Sequence, residues 1–247
     1  MADAARAFWI AGPGRGEIRS GPLPSPSNGD VVRTYELLGP HARGASAATS
    51  LRKKRYSPSL FVVHFGVRGE CPEVPHHTIL FGPRYQGLLS DIYDGGKLAD
   101  DPSLYIHHPT ATDRALAPSG CSTFYALAPV PHLGKLPIDW SAEGPAYAER
   151  ILSIVEQRLL PGLRDRIELS FHYTPQDFAD DLGAYQGSAF SLEPLLTQSA
   201  YFRVHNRDDV LRNLYFVGAG THPGAGIPGV VGSAKATAGL MIDDLRV

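Results

Sequence analysis

Residues 214–230 read LYFVGAGTHPGAGIPGV and decide how the end of the chain folds. A short apolar run comes first, five glycines and two prolines are spread over the rest, and from Ile227 onward apolar residues recur at helical spacing. Pro228 suits the first turn of a helix, where a backbone N–H has no partner within the helix. The stretch therefore predicts a buried strand, a tight glycine turn and a last helix over roughly residues 228–245.

A glycine turn between a strand and a helix has two interpretations. It is either a tight connection, or half of a cofactor site in which helix N–H groups meet a phosphate or a similar polar group. The phosphate loop of P-loop nucleotide hydrolases is excluded, because no Lys-Ser/Thr pair follows the last glycine. Gly218, Gly220 and Gly224 also miss the final spacing of the dinucleotide fingerprint GxGxxG. The residues of the turn alone leave both interpretations open.

Composition narrows the classes of function. The chain of 247 residues has a formal net charge of -2, so no basic field indicates binding to nucleic acid. Its two cysteines, Cys71 and Cys121, lack CxxC spacing and favour a reducing, cytoplasmic compartment over a disulfide framework. No apolar run approaches the roughly 20 residues that a membrane-spanning helix needs.

The middle of the chain is rich in strand-like runs. β-Branched and aromatic residues recur too closely for a helix between each pair of runs, which favours an antiparallel sheet. Apolar residues at helical spacing over 144–163 predict a helix. Residues 1–27 include GPLPSPS, which has the composition of a linker and predicts a disordered arm. The strand-like runs are residues 59–67, 76–82, 103–111, 122–130 and 166–175.

Ten histidines raise the question of a metal site. Two adjacent pairs, His76-His77 and His107-His108, lie on predicted strands, where neighbouring side chains point to opposite faces. Neither pair is then able to hold one ion between its two rings, so the sequence predicts no metal site.

Several blocks of the sequence, in order, resemble the C-terminal half of bacterial-type phytoene desaturases. These proteins are carotenoid oxidoreductases of the flavin amine-oxidase superfamily. The most specific block, NLYFVGAGTHPGAGIPGVVGSAKATAG at 213–239, is similar to their flavin-binding signature. The resemblance runs from about residue 28 to the C-terminus. The blocks before the signature are HHTILFGPRYQGLL, SLYIHHPTATDRALAPSGCSTFYALAPVPHLG, DWSAEGP, YTPQDF and LGAYQGSAFSLEPLLTQSAYFRVHNRD.

The resemblance implies a mixed α/β, two-domain oxidoreductase that binds FAD. An antiparallel sheet of a substrate domain would be joined to the last strand and helix of a Rossmann-like FAD domain. The implied parts are a partial FAD-domain segment at 28–58, a substrate-binding region at 59–205, and an FAD-binding strand, turn and helix at 206–247. The implied cofactor-binding residues are Gly218, Ala219, Gly220, Thr221, His222, Gly226, Ile227, Pro228, Gly229 and Val230.

The resemblance also implies a substrate and a location. The substrate would be phytoene or a related long polyene, taken from a membrane surface by a peripheral, cytoplasmic enzyme. Gly220 and Gly229 would let the backbone approach the flavin, so a side chain at either position would collide with it. No catalytic acid or base is assigned. The candidate substrate-lining residues are Phe190, Gln198, Phe202 and His205.

Three alternatives remain at this point: an active desaturase, a related flavin-dependent carotenoid ketolase or oxidase, and an inactive remnant. Complete relatives hold the ADP half of FAD with an N-terminal strand, GxGxxG turn and helix, and this sequence has no such motif before residue 28. We therefore expect a truncated chain or fragment that, alone, binds FAD weakly or not at all, does not desaturate phytoene and tends to aggregate. A separate N-terminal half would restore part of these properties by completing the sheet.

Overall fold

The structure, a computed structural model, describes residues 24–39 and 42–245. These residues divide into two compact units. Unit 1 contains the described residues up to Ser57 and from Asp177 onward, and unit 2 contains Pro58–Gln176. None of the described helices combines the length and the apolar character that crossing a bilayer requires.

Seven strands and six α-helices, together with short 3-10 turns, make up the described chain. The strands are β1 (Ser25–Ser27), β2 (Ser59–Arg68), β3 (His77–Leu80), β4 (Leu104–His107), β5 (Cys121–Val130), β6 (Ile167–Tyr173) and β7 (Leu214–Phe216). The helices are α1 (Val31–Leu37), α2 (Ala42–Arg52), α3 (Tyr85–Asp94), α4 (Trp140–Arg158), α5 (Pro175–Asp180) and α6 (Ile227–Leu245). The predicted last helix is confirmed as α6, and the helix predicted over 144–163 is confirmed as α4, which begins and ends about four residues earlier.

Unit 2 is built on one antiparallel sheet with the strand order β3-β4-β5-β2-β6, as the sequence predicts. The central pair, β2 and β5, is in register over ten residues, from Ser59 opposite Val130 to Arg68 opposite Cys121. A bulge interrupts the pairing of β2 with β6, because the register shifts by one residue after Gly66. The partner of Val67 on β6 is therefore Ile167.

One face of this sheet forms the core of unit 2. Alternate residues of β2, among them Phe61, Val63 and Phe65, are buried in one cluster with Ile151 and Val155 of α4. Alternation by two along the strand and by three or four along the helix brings these side chains to a single interface. Each such side chain stabilises the fold by roughly 1.5–3 kcal/mol on burial.

Unit 1 is organised by a parallel pair of strands from opposite ends of the chain. Ser25–Ser27 of β1 pairs with Leu214–Phe216 of β7. The prediction of a disordered arm over 1–27 is therefore wrong for residues 25–27, and residues 1–23 lie outside the described chain. Strand β1 is only three residues long and contains Pro26, which suits an edge strand, so its composition resembles that of a linker.

The predicted boundary at residue 205 also differs from the structure. Residues 177–205 belong to unit 1 rather than to the unit with the antiparallel sheet. The backbone explains the difference, since the N–H of Ser57 donates to the carbonyl of Ser191 and that of Glu193 donates to the carbonyl of Arg55. The side chains of Arg55 and Glu193 also form an ion pair at 2.7 Å.

A buried histidine of unit 2 makes stability depend on pH. Burial, and then the charge of Lys135, lowers the pKa of His132 from 6.5 to about 4. Below pH 6.5 the unfolded chain takes up a proton that the folded chain rejects, so we expect roughly 3 kcal/mol of unfolding free energy to be lost between pH 6.5 and 4. Urea unfolding at a series of pH values measures this loss.

The variant His132→Asn keeps an acceptor for the N–H of Gly134, which bonds to Nδ1 of His132 in the structure. We expect this variant to lose that part of the pH dependence. His205→Asn, at an exposed position, serves as the control and should keep it. If the unfolding free energy of His132→Asn fell with pH as steeply as that of the unchanged protein, His132 would not be the source of the pH dependence.

Candidate functional site

The predicted glycine turn begins where the two parallel strands of unit 1 end. Asn28 follows β1 and Gly218 follows β7, and a Cβ built on Gly218 would lie 2.9 Å from Oδ1 of Asn28. Gly218 has φ +118°, a conformation that residues with side chains rarely adopt. Open α/β sheets bind ligands beyond the carboxyl ends of parallel strands, and this is such an edge. The sequence analysis did not identify Asn28, because it missed β1.

A buried polar network holds the turn against α6. Oγ of Ser233 accepts from the N–H of Gly218 at 3.1 Å and lies 2.8 Å from Oγ1 of Thr221. The amide of Asn206 donates to the carbonyl of Phe216 at 3.2 Å and to Oγ of Ser233 at 3.0 Å. Oγ1 of Thr237 donates to the same carbonyl at 2.8 Å. These bonds satisfy groups that would otherwise be buried without partners.

Arg203 fixes the outer part of the turn. Its guanidinium donates twice to the carbonyl of Ala219, at 2.9 and 2.7 Å, and also to the carbonyl of Leu192 at 3.1 Å. Burial lowers the pKa of Arg203. An arginine stays protonated even so, and its bonds to neutral carbonyls therefore carry a full positive charge beside the turn.

Two of the predicted cofactor glycines have another explanation in the structure. A Cβ on Gly220 would lie 2.8 Å from a methyl carbon of Val31 and 2.9 Å from Oγ of Ser191, and a Cβ on Gly229 would lie 2.5 Å from the carbonyl oxygen of Gly224. The packing of the turn itself excludes side chains at both positions. The predicted collision with a flavin is not needed to explain these glycines, whereas a Cβ on Gly226 would meet nothing within 4 Å.

The turn offers hydrogen-bond donors and an apolar surface. The N–H groups of Ala219 and Gly220, and those of Ile227 and Gly229 at the start of α6, are bonded to no acceptor within residues 24–39 and 42–245. Ile227 is 83% exposed and Val231 is 64% exposed beside these donors. N–H groups at a helix N-terminus next to apolar side chains suit a cofactor that has an anionic part and a flat ring, and FAD fits this description.

Two of the four predicted substrate residues line the same cavity. Phe202 and His205 line a cavity of about 260 Å³ in unit 1, which the side chains of Phe190 and Gln198 do not reach. The amide of Gln198 is buried and donates to the carbonyls of Arg55, at 2.8 Å, and Glu193, at 3.0 Å. Gln198 therefore holds the backbone together and has no free group for a ligand.

A row of aromatic rings crosses the open face of the sheet in unit 2. Its members, one from each strand in spatial order, are His77, His107, Tyr125, His64 and Phe171. Successive ring centroids are 5.4, 4.8, 5.6 and 4.8 Å apart, and the first and last pairs are stacked. Burial lowers the pKa of His64 and raises the pKa of Tyr125, so both side chains stay uncharged near neutral pH.

The sequence analysis did not find this row. Alternation along each strand shows which side chains lie on the face opposite the core. Only the register between strands shows that the aromatic side chains of the row are neighbours across the sheet. An apolar cavity of about 370 Å³ continues the surface at one end, where its lining includes Leu116, Leu169 and Phe171. Phe171 is 53% exposed, which is unusual for a phenylalanine in a sheet of this size.

The comparisons with known proteins agree with the resemblance seen in the sequence. The chain is 62% identical over 220 residues to a lycopene-forming phytoene desaturase of Paracoccus sp. and 58% identical over 221 residues to one of Pseudescherichia vulneris. It is 48% identical over 225 residues to a neurosporene-forming phytoene desaturase of Cereibacter sphaeroides. Each match includes 89% of this chain but only 43–45% of the relative, so the chain spans less than half the length of these proteins.

The resemblance to part of a bacterial phytoene desaturase is therefore confirmed, and the coverage is consistent with the C-terminal half. No protein-family model matches the chain. A solved structure of an oxidoreductase from Methanosarcina mazei superposes with a TM-score of 0.51 at 15% identity, covering 94% of this chain and 44% of that protein. This likeness supports the predicted mixed α/β fold.

The polar network around the turn generates a prediction about stability. Replacing Thr237 by Val removes the donor to the carbonyl of Phe216 in a buried position, and we expect a loss of about 1–3 kcal/mol of unfolding free energy. Thr49→Val makes the same change in α2, where the hydroxyl bonds to the carbonyl of Ala45 and is exposed. Denaturant unfolding should show a change below about 0.5 kcal/mol for this control. Equal losses for both variants would contradict a stabilising role of the network.

Proposed function

We propose that the protein containing this sequence is an FAD-dependent desaturase of carotenoid biosynthesis. It removes hydrogens from phytoene or a related long polyene and so extends the conjugated system. The observation that carries the proposal is the 62% identity, over 89% of this chain, to a lycopene-forming phytoene desaturase. The glycine turn and the aromatic row are independent structural features that suit a flavin and a polyene.

The turn of unit 1 would hold one end of FAD. The N–H groups of Ala219 and Gly220 would face its polar part, and Ile227 and Val231 would contact its apolar part. The positive end of the α6 dipole would favour negative charge on the reduced ring. When bound, FAD supplies an oxidised flavin that takes up the hydride equivalent from the substrate. The full set of proposed cofactor-binding residues remains Gly218, Ala219, Gly220, Thr221, His222, Gly226, Ile227, Pro228, Gly229 and Val230.

The open face of the sheet in unit 2 would bind the polyene. A long hydrocarbon has no charged group, so its binding depends on contact with uncharged, flat surfaces that exclude water. The row from His77 to Phe171 is such a surface, and its stacked rings offer π faces to a conjugated chain. The cavity beside Leu169 and Phe171 would take one end of the substrate.

A peripheral position at a membrane would give access to such a substrate. Strand β3, the segment after it and helix α3 expose several large apolar side chains of unit 2 to solvent, which supports contact with a lipid surface. The exposed residues are Ile79, Phe81, Tyr85, Leu89 and Tyr93.

A partner chain supplying the N-terminal half of the FAD domain is also part of the proposal. Helix α6 buries Ser233 and Thr237, while Ile242 and Leu245, beyond the residues proposed to contact FAD, stay exposed. An apolar stripe of this kind is a suitable contact surface for another segment of protein.

The flavin site is tested by adding a charge to α6. We expect Ile227→Glu to lose most of the bound FAD, because a carboxylate would stand where the cofactor contacts the helix. Leu196→Glu adds the same charge at a position of unit 1 that is 91% exposed and lies outside α6, and it should retain FAD. Flavin absorbance of the purified proteins, prepared with the N-terminal half of a homologous desaturase, measures the difference. Unchanged flavin content in Ile227→Glu would refute the proposed site.

The reaction is tested in bacterial cells that accumulate phytoene. Together with the N-terminal half of a homologous desaturase, the chain should yield coloured carotenoids, and colourless cells would count against the proposed function. Phe171→Ala should lower the yield roughly tenfold to a hundredfold, because a large apolar contact with the substrate is lost. Leu196→Ala, at a position that is 91% exposed in unit 1, is the control and should leave the yield unchanged.

A further inference from the structure

Three histidines of unit 2 meet at one end of the aromatic row. One ring nitrogen from each of His76, His77 and His107 lies within 4.8 Å of the other two. Nε2 of His76 and Nε2 of His107 are 2.8 Å apart. The ring centroids are 4.4 Å apart for His76 and His77, 4.7 Å for His76 and His107, and 5.4 Å for His77 and His107.

The rings of the first adjacent pair, His76 and His77, do not separate to opposite faces of the sheet. Strand β3 begins at His77, so His76 precedes the strand and its ring is free to turn to the same side. The second pair does separate as the sequence predicts. His108 is buried and bonds to the carbonyl of Val74, whereas His107 faces the open side of the sheet with Tyr125. The cluster thus takes two members from one pair and one from the other.

Neighbouring hydroxyl groups orient two of the three rings. Nδ1 of His76 lies 2.5 Å from Oγ1 of Thr112, and Nδ1 of His77 lies 2.6 Å from the hydroxyl of Tyr105. Each of these bonds occupies Nδ1 of its ring. Nε2 of His77 is left for a ligand, and Nε2 of His76 shares a hydrogen bond with Nε2 of His107 that an ion between the two rings would replace. Nδ1 of His107 is buried and bonded to no other described residue, so this ring is not saturated by the protein. Metal-binding histidines have such outer partners, which fix the tautomer and the orientation of the ring.

We propose that His76, His77 and His107 form a binding site for a divalent metal ion that prefers nitrogen ligands, such as Zn²⁺. Three imidazoles exclude Mg²⁺ and Ca²⁺, which prefer oxygen. Zn–N bonds of about 2.0–2.1 Å in a tetrahedron place ligand nitrogens roughly 3.3 Å apart. The separations in the cluster, from 2.8 Å to at most 4.8 Å, bracket that value, so small rotations of the rings bring them into place. His77 is exposed, which leaves a route for the ion and a fourth position for water.

The metal ion would join strand β4 to strand β3 and to the residue that precedes β3. His107 is on β4, His77 is on β3 at the edge of the sheet, and His76 precedes β3. An ion that binds only the folded state raises the midpoint of thermal unfolding. This inference does not depend on the proposed desaturase activity.

Titration calorimetry of the untagged chain with ZnCl₂ tests the proposal. We expect one ion per chain, together with a higher midpoint of thermal unfolding. His77→Gln should weaken Zn²⁺ binding by about a hundredfold or more, because one of three protein ligands is lost. Tyr105→Phe keeps all three ligands and should weaken binding by about 10–100-fold through the freed Nδ1 of His77.

His205→Gln changes an exposed histidine of unit 1 and should bind Zn²⁺ as the unchanged chain does. Far-ultraviolet circular dichroism of each variant checks the fold, and His77 is exposed, so its replacement should not disturb the sheet. The proposal is overturned if the unchanged chain binds no stoichiometric Zn²⁺. It is equally overturned if folded His77→Gln binds the ion with the same affinity.

Discussion

The parallel pairing of Ser25–Ser27 with Leu214–Phe216 is the contact on which unit 1 depends. It joins a segment near the start of the described chain to one near its end, and each strand is only three residues long. Both strands run into helices, and Asp30 caps the first of them by accepting from the N–H of Val32 at 2.9 Å. The glycine turn and Asn28 come together because these two strands end side by side.

A short strand pair of this kind is stabilised by what surrounds it. The carbonyl of Phe216 accepts from Asn206 and from Thr237, and the hydroxyl of Tyr35 donates to the carboxylate of Asp208 at 2.5 Å. The ring of Phe216 also packs on that of Tyr35 at 5.2 Å. Side-chain hydrogen bonds and aromatic packing therefore stabilise the pair of β1 and β7, which three residue pairs alone would hold only weakly.

Much of the fold could be predicted from the sequence, and the exceptions have physical reasons. The glycine turn, the last helix and the antiparallel sheet follow from local patterns that determine local structure. Strand β1 could not be predicted, because SPS contains a proline and no β-branched residue. The aromatic row and the cluster around His76 depend on register and on where β3 begins, and neither is visible in a single strand. The contacts of Gln198 were equally invisible, since its amide donates to the backbone carbonyl of Arg55, which lies far from it in the sequence.

The bulge between β2 and β6 determines which side chain of β6 enters the core of unit 2. Val67 is buried, and one-to-one pairing after Gly66 and Leu169 would place Glu168 opposite it. Because Glu168 is the extra residue of the bulge, Ile167 lies opposite Val67 instead. Ile167 then packs against the core, and Glu168 pairs with Arg68 at 3.4 Å near the surface. Pairing without the bulge would turn the carboxylate of Glu168 toward an apolar interior without a partner. The register of β6 at this point therefore matters more to the core than most of its side chains, which are exposed.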